Sequence, residues 1–190
     1  MIGVVGYKKK RNALYTMWIK NYVGQFGEHS KIDFPCYLQG RARRSILIGD
    51  NTYIQSHCVL GCWKEYGDHK FTPSISIGND CNIGEYNQIS ACVEVVIGSG
   101  LLTGRYVYIG DNSHGGLSIE ESTIPPARRS LKSRGGIEIG ENVWIGDKVT
   151  ILDGVIIGNN VIIGANSVVT HDIPSNSMAA GVPAKVLKHL

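Results

Sequence analysis

The chain has 190 residues, of which 43% are hydrophobic, so it is long enough to form one domain with a buried core. Its formal net charge of +3 is too small to indicate a nucleic-acid partner by itself. No apolar run reaches the roughly 18 residues that a membrane span needs, and the apolar start MIGVVGY is too short for a signal peptide. We therefore expect a cytoplasmic protein without a transmembrane segment.

The first 24 residues read as a separate N-terminal segment. Residues 8–23 predict a short helix, because Leu14, Met17 and Trp18 lie at helical spacing and Tyr22 continues the same stripe. One interpretation is that this helix caps the open end of the domain that follows. The other is that its basic start, KKKR, touches a membrane surface or an anionic glycolipid.

Residues 25–176 read as one repeat domain. From Ile48 onward a branched aliphatic residue recurs at every sixth position, often followed by glycine, and the series is clearest at Ile139, Ile145, Ile151, Ile157, Ile163 and Val169. An α-helix has a period of 3.6 residues and a flat strand a period of two, so neither fits. Short strands joined by repeated corners do fit, which predicts a parallel β-helix. Each aliphatic and the residue four places later should point inward, and we expect the glycines where the chain turns tightly.

The five cysteines are an odd number, and two of them fall at predicted inward positions. We interpret Cys58 and Cys81 as small buried hydrophobic residues and not as halves of disulfides. A reducing compartment is consistent with this use of cysteine.

Two stretches, 62–74 and 115–136, break the repeat and predict loops that leave the coil. The first carries Trp63, Tyr66 and Phe71 beside charged residues, which suits either a sugar ring or packing on a neighbouring subunit. His69 in this loop is expected to be solvated. The second contains Pro125-Pro126, which excludes a regular strand interior. Residues 177–190 read as a short basic tail.

Two polar residues near these loops are candidates for chemistry. His114 directly precedes the second loop, and a neutral imidazole can accept a proton near pH 7, although a single histidine is more often structural. Its orienting partner is open between Asp111, Glu120 and a backbone carbonyl. Asn87 lies at an inward position, where an unpaired amide costs about 1–3 kcal/mol. It therefore joins either a polar ladder inside the coil or a site outside it.

The run VWIGDKVTILDGVIIGNNVIIGANSVVTHDIP, followed by AAGVPAKVLK, resembles the hexapeptide-repeat O-acetyltransferases. The resemblance covers roughly residues 45–190, and within that group the chain looks like the galactoside, maltose and capsular-polysaccharide or lipopolysaccharide acetyltransferases. It implies an all-β fold, a left-handed parallel β-helix with three faces. It also implies a homotrimer with one site in each groove between adjacent subunits.

The resemblance assigns roles to particular residues. It implies that His114 is the catalytic histidine and that Asn87 binds substrate. It implies that acetyl-CoA lies along the coils, with the acyl end near Trp144, although packing across the trimer is the other interpretation of this residue. The remaining coenzyme contacts implied are Asp147 and Ala165 for the pantetheine arm, Thr170, and Lys185 and Lys188 beside the phosphates. His171 stands where such enzymes often carry lysine.

These features together predict an acetyl-CoA-dependent O-acetyltransferase that acts on a hydroxyl of a sugar or surface-polysaccharide precursor, with His114 as general base and no metal. One alternative is an N-acetyltransferase of an amino sugar or nucleotide sugar. Another is a non-catalytic glycan-binding scaffold of the same fold. A zinc hydratase resembling the γ-class carbonic anhydrases is disfavoured, because no paired spacing occurs among His29, His57, His69, His114, His171 and His189.

Overall fold

The computed structural model describes residues 2–116 and 118–189, and the side chains from residue 6 onward within them. The chain starts with helix α1 (Ile2–Ile19) and a 3₁₀ turn (Lys20–Tyr22). Strands follow in groups of three, and each group forms one coil of a left-handed parallel β-helix. The predicted fold class is confirmed.

The six coils contain eighteen of the strands. The first coil has β1 (Gln25–Phe26), β2 (Lys31–Ile32) and β3 (Tyr37–Gln39), and the second, after a 3₁₀ turn (Arg43–Ser45), has β4 (Ile46–Ile48), β5 (Tyr53–Ile54) and β6 (Val59–Cys62). A hairpin of β7 (Glu65–Tyr66) and β8 (His69–Lys70) precedes the third coil, which has β9 (Ser74–Ile77), β10 (Asn82–Ile83) and β11 (Gln88–Ala91). The fourth coil has β12 (Glu94–Ile97), β13 (Leu102–Thr103) and β14 (Tyr108–Gly110).

A second interruption follows the fourth coil and contains β15 (Ser113–His114), α2 (Ile119–Ser122), a 3₁₀ turn (Pro126–Arg128) and β16 (Leu131–Lys132). The fifth coil has β17 (Ile137–Ile139), β18 (Trp144–Ile145) and β19 (Thr150–Ile151), and the sixth has β20 (Ile156–Ile157), β21 (Ile162–Ile163) and β22 (Val168–Val169). The chain then forms β23 (Ser177–Gly181) and β24 (Ala184–His189).

Equivalent strands of successive coils pair in parallel and form three sheets. The first sheet contains the first strand of every coil, the second sheet the second strand and the third sheet the third strand. Ile109, Ile151 and Val169 are direct partners in the third sheet, which shows that the six-residue period is kept from coil to coil. The loops predicted at 62–74 and 115–136 lie where the coil is interrupted.

The core is the stack of inward side chains, as the repeat predicts. All six aliphatic residues of the 139–169 series are buried, and so are the residues four places later: Val143, Val149, Val155, Val161 and Ser167. Cys58 and Cys81 are buried free thiols, in agreement with the prediction. Burial raises the pKa of Cys58 to about 11, so its thiol stays protonated near neutral pH.

The glycines do not have the role at the corners that was predicted. The left-handed backbone conformation, with positive φ, is adopted mainly by residues other than glycine, among them Asn142, Asn160 and Asn166 with φ of 55°, 55° and 58°. The repeat glycines instead allow close approach between coils. A Cβ atom at Gly84 would lie 2.2 Å from the carbonyl oxygen of Gly104.

Three aromatic residues share one edge of the prism, at the corner between the second and third sheets. His57, Tyr86 and Tyr106 all have positive φ, which costs a non-glycine residue roughly 1–2 kcal/mol. Their rings stack on one another, His57 on Tyr86 at 4.5 Å between centroids and Tyr86 on Tyr106 at 4.9 Å. Stacking of about 0.5–1.5 kcal/mol per pair offsets much of that backbone strain.

The coils begin at Gln25, the first residue of the repeat domain expected at 25–176. This is one coil before the series that starts at Ile48, because Phe26, Ile32 and Leu38 already keep the six-residue spacing. At the other end, the segment expected as a basic tail contains a β-hairpin. Strand β23 extends the second sheet in parallel, and β24 pairs with it in the antiparallel direction.

Helix α1 caps the first coil, but not through the predicted stripe. The Thr16 hydroxyl donates to the carbonyl of Ile32 at 2.9 Å and accepts from its N–H at 3.1 Å. Tyr15 bonds the N–H and carbonyl of Cys36 in the same way. Leu14, Met17 and Trp18 are exposed on the other side of the helix. Among the helices that the structure describes, none has the length and apolar character to cross a bilayer.

The inward stack predicts a sharp difference between two neighbouring residues of β20. Ile157 is 1% exposed and Ile156 is 49% exposed. Ile157→Ala leaves a cavity between stacked coils and should lower the free energy of unfolding by about 2–5 kcal/mol. Ile156→Ala should change it by about 0.5 kcal/mol or less. Urea unfolding followed by circular dichroism measures both, and equal losses would contradict the assigned register.

Candidate active site

Both excursions leave the coil at the same edge, the corner that follows the third sheet. The second coil leaves it at Cys62 and the fourth at Asp111, while the third coil turns between them at Cys92 and Val93. Adjacent strands of a sheet are about 4.8 Å apart, so the two excursions start roughly 10 Å from each other. The structure therefore places them side by side.

Asp111 fixes the turn of the third coil between the excursions. Its carboxylate is fully buried and accepts three backbone N–H bonds, from Cys92 at 2.7 Å, Val93 at 2.8 Å and Glu94 at 2.7 Å. Bonds of this kind to an ionised acceptor are about twice as strong as neutral ones. Asp111 is thus a structural residue whose oxygens are already occupied.

Ser90 joins the bases of the two excursions. Its buried hydroxyl accepts from Trp63 Nε1 at 3.1 Å, at the start of the first excursion, and from Asn112 Nδ2 at 3.1 Å, at the start of the second. Asn112 also donates to Asp111 Oδ1 at 3.0 Å. One serine of the central coil thereby ties both excursions to the rigid core.

His114 lies just beyond this network with an exposed imidazole. Its backbone belongs to β15, which pairs antiparallel with β16 so that His114 is opposite Leu131. The N–H of Gly115 donates to the carbonyl of Ser130 at 2.9 Å and extends the pairing. The side chain is therefore carried on a short ordered strand.

Tyr66 of the first excursion contacts His114 directly. The two rings meet edge to face, with centroids 5.1 Å apart and an interplanar angle of 64°. The Tyr66 hydroxyl donates to the carbonyl of Ala127 in the second excursion at 2.9 Å. Tyr66 thus links the two excursions across the histidine. The sequence showed an aromatic loop, but gave no signal that Tyr66 would meet His114.

Glu121 fastens the segment that follows His114. Its carboxylate accepts from the N–H of Gly116 at 2.7 Å and lies 2.6 Å from the Lys132 ammonium. Lys132 and the Gly116 N–H hold the pKa of this carboxyl below its usual value. The bonds of Glu121 to Gly116 and Lys132 are therefore present at neutral pH and are lost in acid, as the pH falls through that lowered pKa.

The three partners considered for the imidazole can now be compared. Asp111 is committed to the turn of the third coil, and Glu120 is exposed on α2. Among the described residues, no side chain or backbone group hydrogen-bonds the His114 ring; its contact is the edge of Tyr66.

The side chain of Asn87 points into the coil, which is one of the two orientations that the sequence left open. It is 2% exposed, and its amide nitrogen donates to Thr103 Oγ1 at 2.5 Å and to the carbonyl of Gly104 at 3.0 Å. Its oxygen accepts from the N–H of Val107 at 2.7 Å. These bonds join the third coil to the fourth and use the polar atoms of the side chain inside the coil.

Most of the predicted coenzyme residues lie on another side of the prism. Trp144 is exposed on the outer face of the second sheet, and Asp147 and Ala165 occupy the corner after that sheet in adjacent coils. Lys185 and Lys188 are on β24, which extends the same sheet. Thr170 directly follows β22 and so lies at the corner after the third sheet, the edge from which the excursion with His114 leaves.

Two of these side chains already have partners within the chain. Asp147 Oδ1 accepts from the N–H of Arg105 at 2.8 Å, and the Thr170 hydroxyl lies 2.8 Å from His171 Nδ1. Within residues 2–116 and 118–189, no three His, Cys, Asp or Glu side chains lie close enough to share a metal ion.

Residues 136–171 match the bacterial transferase hexapeptide family, described as six repeats. WbbJ of Escherichia coli K12, named as a lipopolysaccharide biosynthesis O-acetyltransferase, is 36% identical over 161 residues, which are 83% of this chain and 77% of that protein. The chain belongs to the hexapeptide-repeat acetyltransferases. Rv3034c of Mycobacterium tuberculosis, named as an acetyltransferase, is 31% identical over 68% of this chain and 43% of its own length.

Solved structures of this hexapeptide-repeat family have the same fold. The acetyltransferase VCA0836 of Vibrio cholerae, crystallised with acetyl-CoA, has a TM-score of 0.60 and 26% identity, covering 94% of this chain and 77% of its own. AntD of Bacillus cereus, an N-acyltransferase in complex with dTDP and 3-hydroxybutyryl-CoA, has a TM-score of 0.70 at 21% identity, covering 90% and 85%. At that identity AntD supports the fold alone.

The contact between Tyr66 and Ala127 predicts a local effect on the second excursion. Tyr66→Phe keeps the ring beside His114 and removes the hydrogen bond, which is worth about 0.5–1.5 kcal/mol. Amide hydrogen exchange in residues 124–132 should become up to roughly tenfold faster, because the excursion opens more often. Tyr37→Phe, an exposed tyrosine on the third sheet, is the matched control and should leave that exchange unchanged. Equal exchange in both variants would contradict the link.

Proposed function

We propose that this protein transfers the acetyl group of acetyl-CoA directly to a hydroxyl of a sugar or surface-polysaccharide precursor. The observation that carries the proposal is the exposed imidazole of His114. It lies on an ordered strand where the two excursions from the hexapeptide-repeat coil meet. The relationship to WbbJ supports O-acetylation and a saccharide acceptor. The aromatic hairpin beside the histidine is suited to a sugar ring.

The reaction needs one base and no covalent enzyme intermediate. Neutral His114 removes the proton of the acceptor hydroxyl while that oxygen attacks the thioester carbonyl of acetyl-CoA. The tetrahedral intermediate then expels the sulfur of CoA, which takes up the proton from the imidazolium, and an acetyl ester is formed. General base catalysis of this type contributes about 10²–10⁴-fold, and positioning of both substrates in one groove contributes further.

Acetyl-CoA binds along the outer edge of the later coils in this proposal. Asp147 and Ala165 offer backbone groups to the pantetheine arm, with Trp144 toward the acyl end. Thr170 contacts the coenzyme, and the ammonium groups of Lys185 and Lys188 offset the charge of its phosphates. His171 replaces a lysine, so this chain relies more on the two lysines of β24.

A homotrimer brings the two halves of the site together. Five of the six coenzyme residues lie on a different side of the chain from His114, so a groove between adjacent chains unites them. The outer face of the second sheet supplies a row of partly exposed apolar side chains for such packing: Leu102, Trp144, Ile162 and Met178. Asn87 acts below the site, holding the third and fourth coils in register.

An amine acceptor would use the same histidine and the same coenzyme groove. A panel of hydroxyl and amino sugars, with products analysed by mass spectrometry, distinguishes O-acetylation from N-acetylation. Products acetylated only on nitrogen would replace the first proposal by the second. Absence of acetyl-CoA binding in calorimetry would favour a glycan-binding scaffold instead.

The role of His114 predicts a loss of turnover without a loss of folding. His114→Asn removes the base, so kcat should fall about 10²–10⁴-fold, while acetyl-CoA still binds in calorimetry. His29→Asn is the matched control, because His29 has positive φ, which asparagine adopts readily, and lies in the first coil. Release of CoA thiol in the presence of acceptor measures both. Normal turnover of His114→Asn would overturn the proposed mechanism.

The proposed trimer predicts different effects for two exposed leucines. Leu102 on the second sheet is 45% exposed and Leu47 on the first sheet is 37% exposed. Leu102→Glu places a carboxylate in the apolar row and should convert trimers to monomers, because an unpaired charge is costly to bury. Leu47→Glu should leave the trimer intact. Sedimentation velocity gives the masses, and a trimeric Leu102→Glu would exclude this face as the interface.

A further inference from the structure

The outer face of α1 is an uncovered apolar stripe. Tyr7, Leu14, Met17 and Trp18 are each more than half exposed. Leu14 comes seven residues after Tyr7, and Met17 and Trp18 come three and four residues after Leu14, which places them on one side of a helix. Tyr22, in the turn that follows, continues the stripe, with its ring centroid 4.8 Å from that of Trp18. Exposed aromatic and aliphatic side chains gathered in this way indicate a docking surface.

The stripe faces away from the coils because the other side of α1 contacts the first coil. Asn12, Tyr15 and Thr16 bond the free backbone edge of the first coil, and Ile19 is buried in the core. The helix therefore lies across the end of the stack. Its outer face looks along the axis of the prism and not toward the sides where the three sheets lie.

This end of the molecule also carries a net positive charge. Residues 1–45 contain nine Lys and Arg against two Asp and Glu, a net charge of +7, whereas residues 46–190 contain ten against fourteen, a net charge of −4. Lys10 is exposed on α1 beside the stripe, four residues before Leu14. Lys8 and Lys9 are exposed where α1 borders a cavity that Lys31 of the first coil also lines. Tyr22, at the end of the stripe, shares a shallow cavity with Arg41, Arg43 and Arg44.

We propose that this end docks on an anionic membrane surface, with the apolar stripe in the headgroup region and the surrounding Lys and Arg at lipid phosphates. Tryptophan and tyrosine favour the boundary between water and hydrocarbon, and Lys and Arg beside them favour an anionic surface. Each basic residue near such a surface strengthens binding by about fivefold. Docking brings the acetyltransferase to acceptors that are carried on a lipid.

A second copy of the chain fits the stripe less well. Two copies meeting end to end would bring two surfaces of net charge +7 together, and like charges repel. The next step alone rests on the proposed function. In its trimer the chains pack side by side and leave their ends free. Three stripes then face the same side, and three weak contacts act together.

Vesicle flotation of the full chain tests the docking surface. Vesicles of phosphatidylcholine mixed with phosphatidylglycerol should carry the protein at low salt and release it at high salt, and pure phosphatidylcholine should carry much less. In a Trp63→Phe/Trp144→Phe background, the fluorescence of Trp18 should shift to the blue on anionic vesicles. No flotation, or equal flotation with both lipids, would overturn the proposal.

Paired variants separate the stripe and the charges from nonspecific attraction. Leu14→Ser/Met17→Ser should weaken vesicle binding at least tenfold, and Lys9→Gln/Lys10→Gln should weaken it by about fivefold for each charge. Arg105→Gln/Lys148→Gln removes the same net charge from exposed positions in the later coils and should have little effect. Equal losses in the two charge variants would contradict a localised surface.

Three further readouts separate the other occupants and the catalytic proposal. A change of molecular mass in Leu14→Ser/Met17→Ser would assign the stripe to a second copy. Competition by inorganic phosphate at constant ionic strength would reassign the basic residues to a soluble anion. Acetyl transfer to a water-soluble acceptor should be unchanged in the stripe variant. A loss of docking is thereby distinguished from a loss of the proposed function.

Discussion

The inward aliphatic side chain at every sixth position is the constraint on which the whole molecule depends. It stacks on its equivalents in the coils above and below, and the same stacking lines up the backbone groups of successive strands. Burial of roughly 25 cal/mol per Å² accumulates along this column without any long loop to close. Because each coil is defined by its neighbours, an insertion at a corner leaves the register intact, as the two excursions show.

Because the coil accepts insertions at its corners, the fold can form a site there. Two segments leave adjacent positions of one edge, and buried groups of the coil between them hold their starting points: Ser90 through its hydroxyl and Asp111 by fixing the turn. The imidazole of His114 and the ring of Tyr66 are then carried at a distance set by the spacing of strands. The candidate catalytic side chain is on an irregular segment, while the regular coil sets its position.

The core could be predicted because its period is written in the sequence, and it agrees with the buried residues of 139–169 and with the two buried cysteines. The meeting of Tyr66 with His114 could not, since contacts between two aperiodic segments leave no pattern. The stripe of α1 could be predicted, but the direction in which it faces could not, for a physical reason. The first coil presents free backbone groups, so polar Asn12 and Thr16 turn inward and the apolar residues are left outside. For Asn87 the sequence allowed two orientations, and only the neighbouring Thr103 and Val107 selected the inner one.

The hydrogen bonds from α1 to the first coil also affect whether copies of this protein can associate through their strands. A β-solenoid ends in a strand whose amide groups are a template for the next chain, and unprotected templates grow into fibrils. Asn12, Tyr15 and Thr16 occupy those groups at Phe34, Cys36 and Ile32, so the helix covers the edge on which another strand could add.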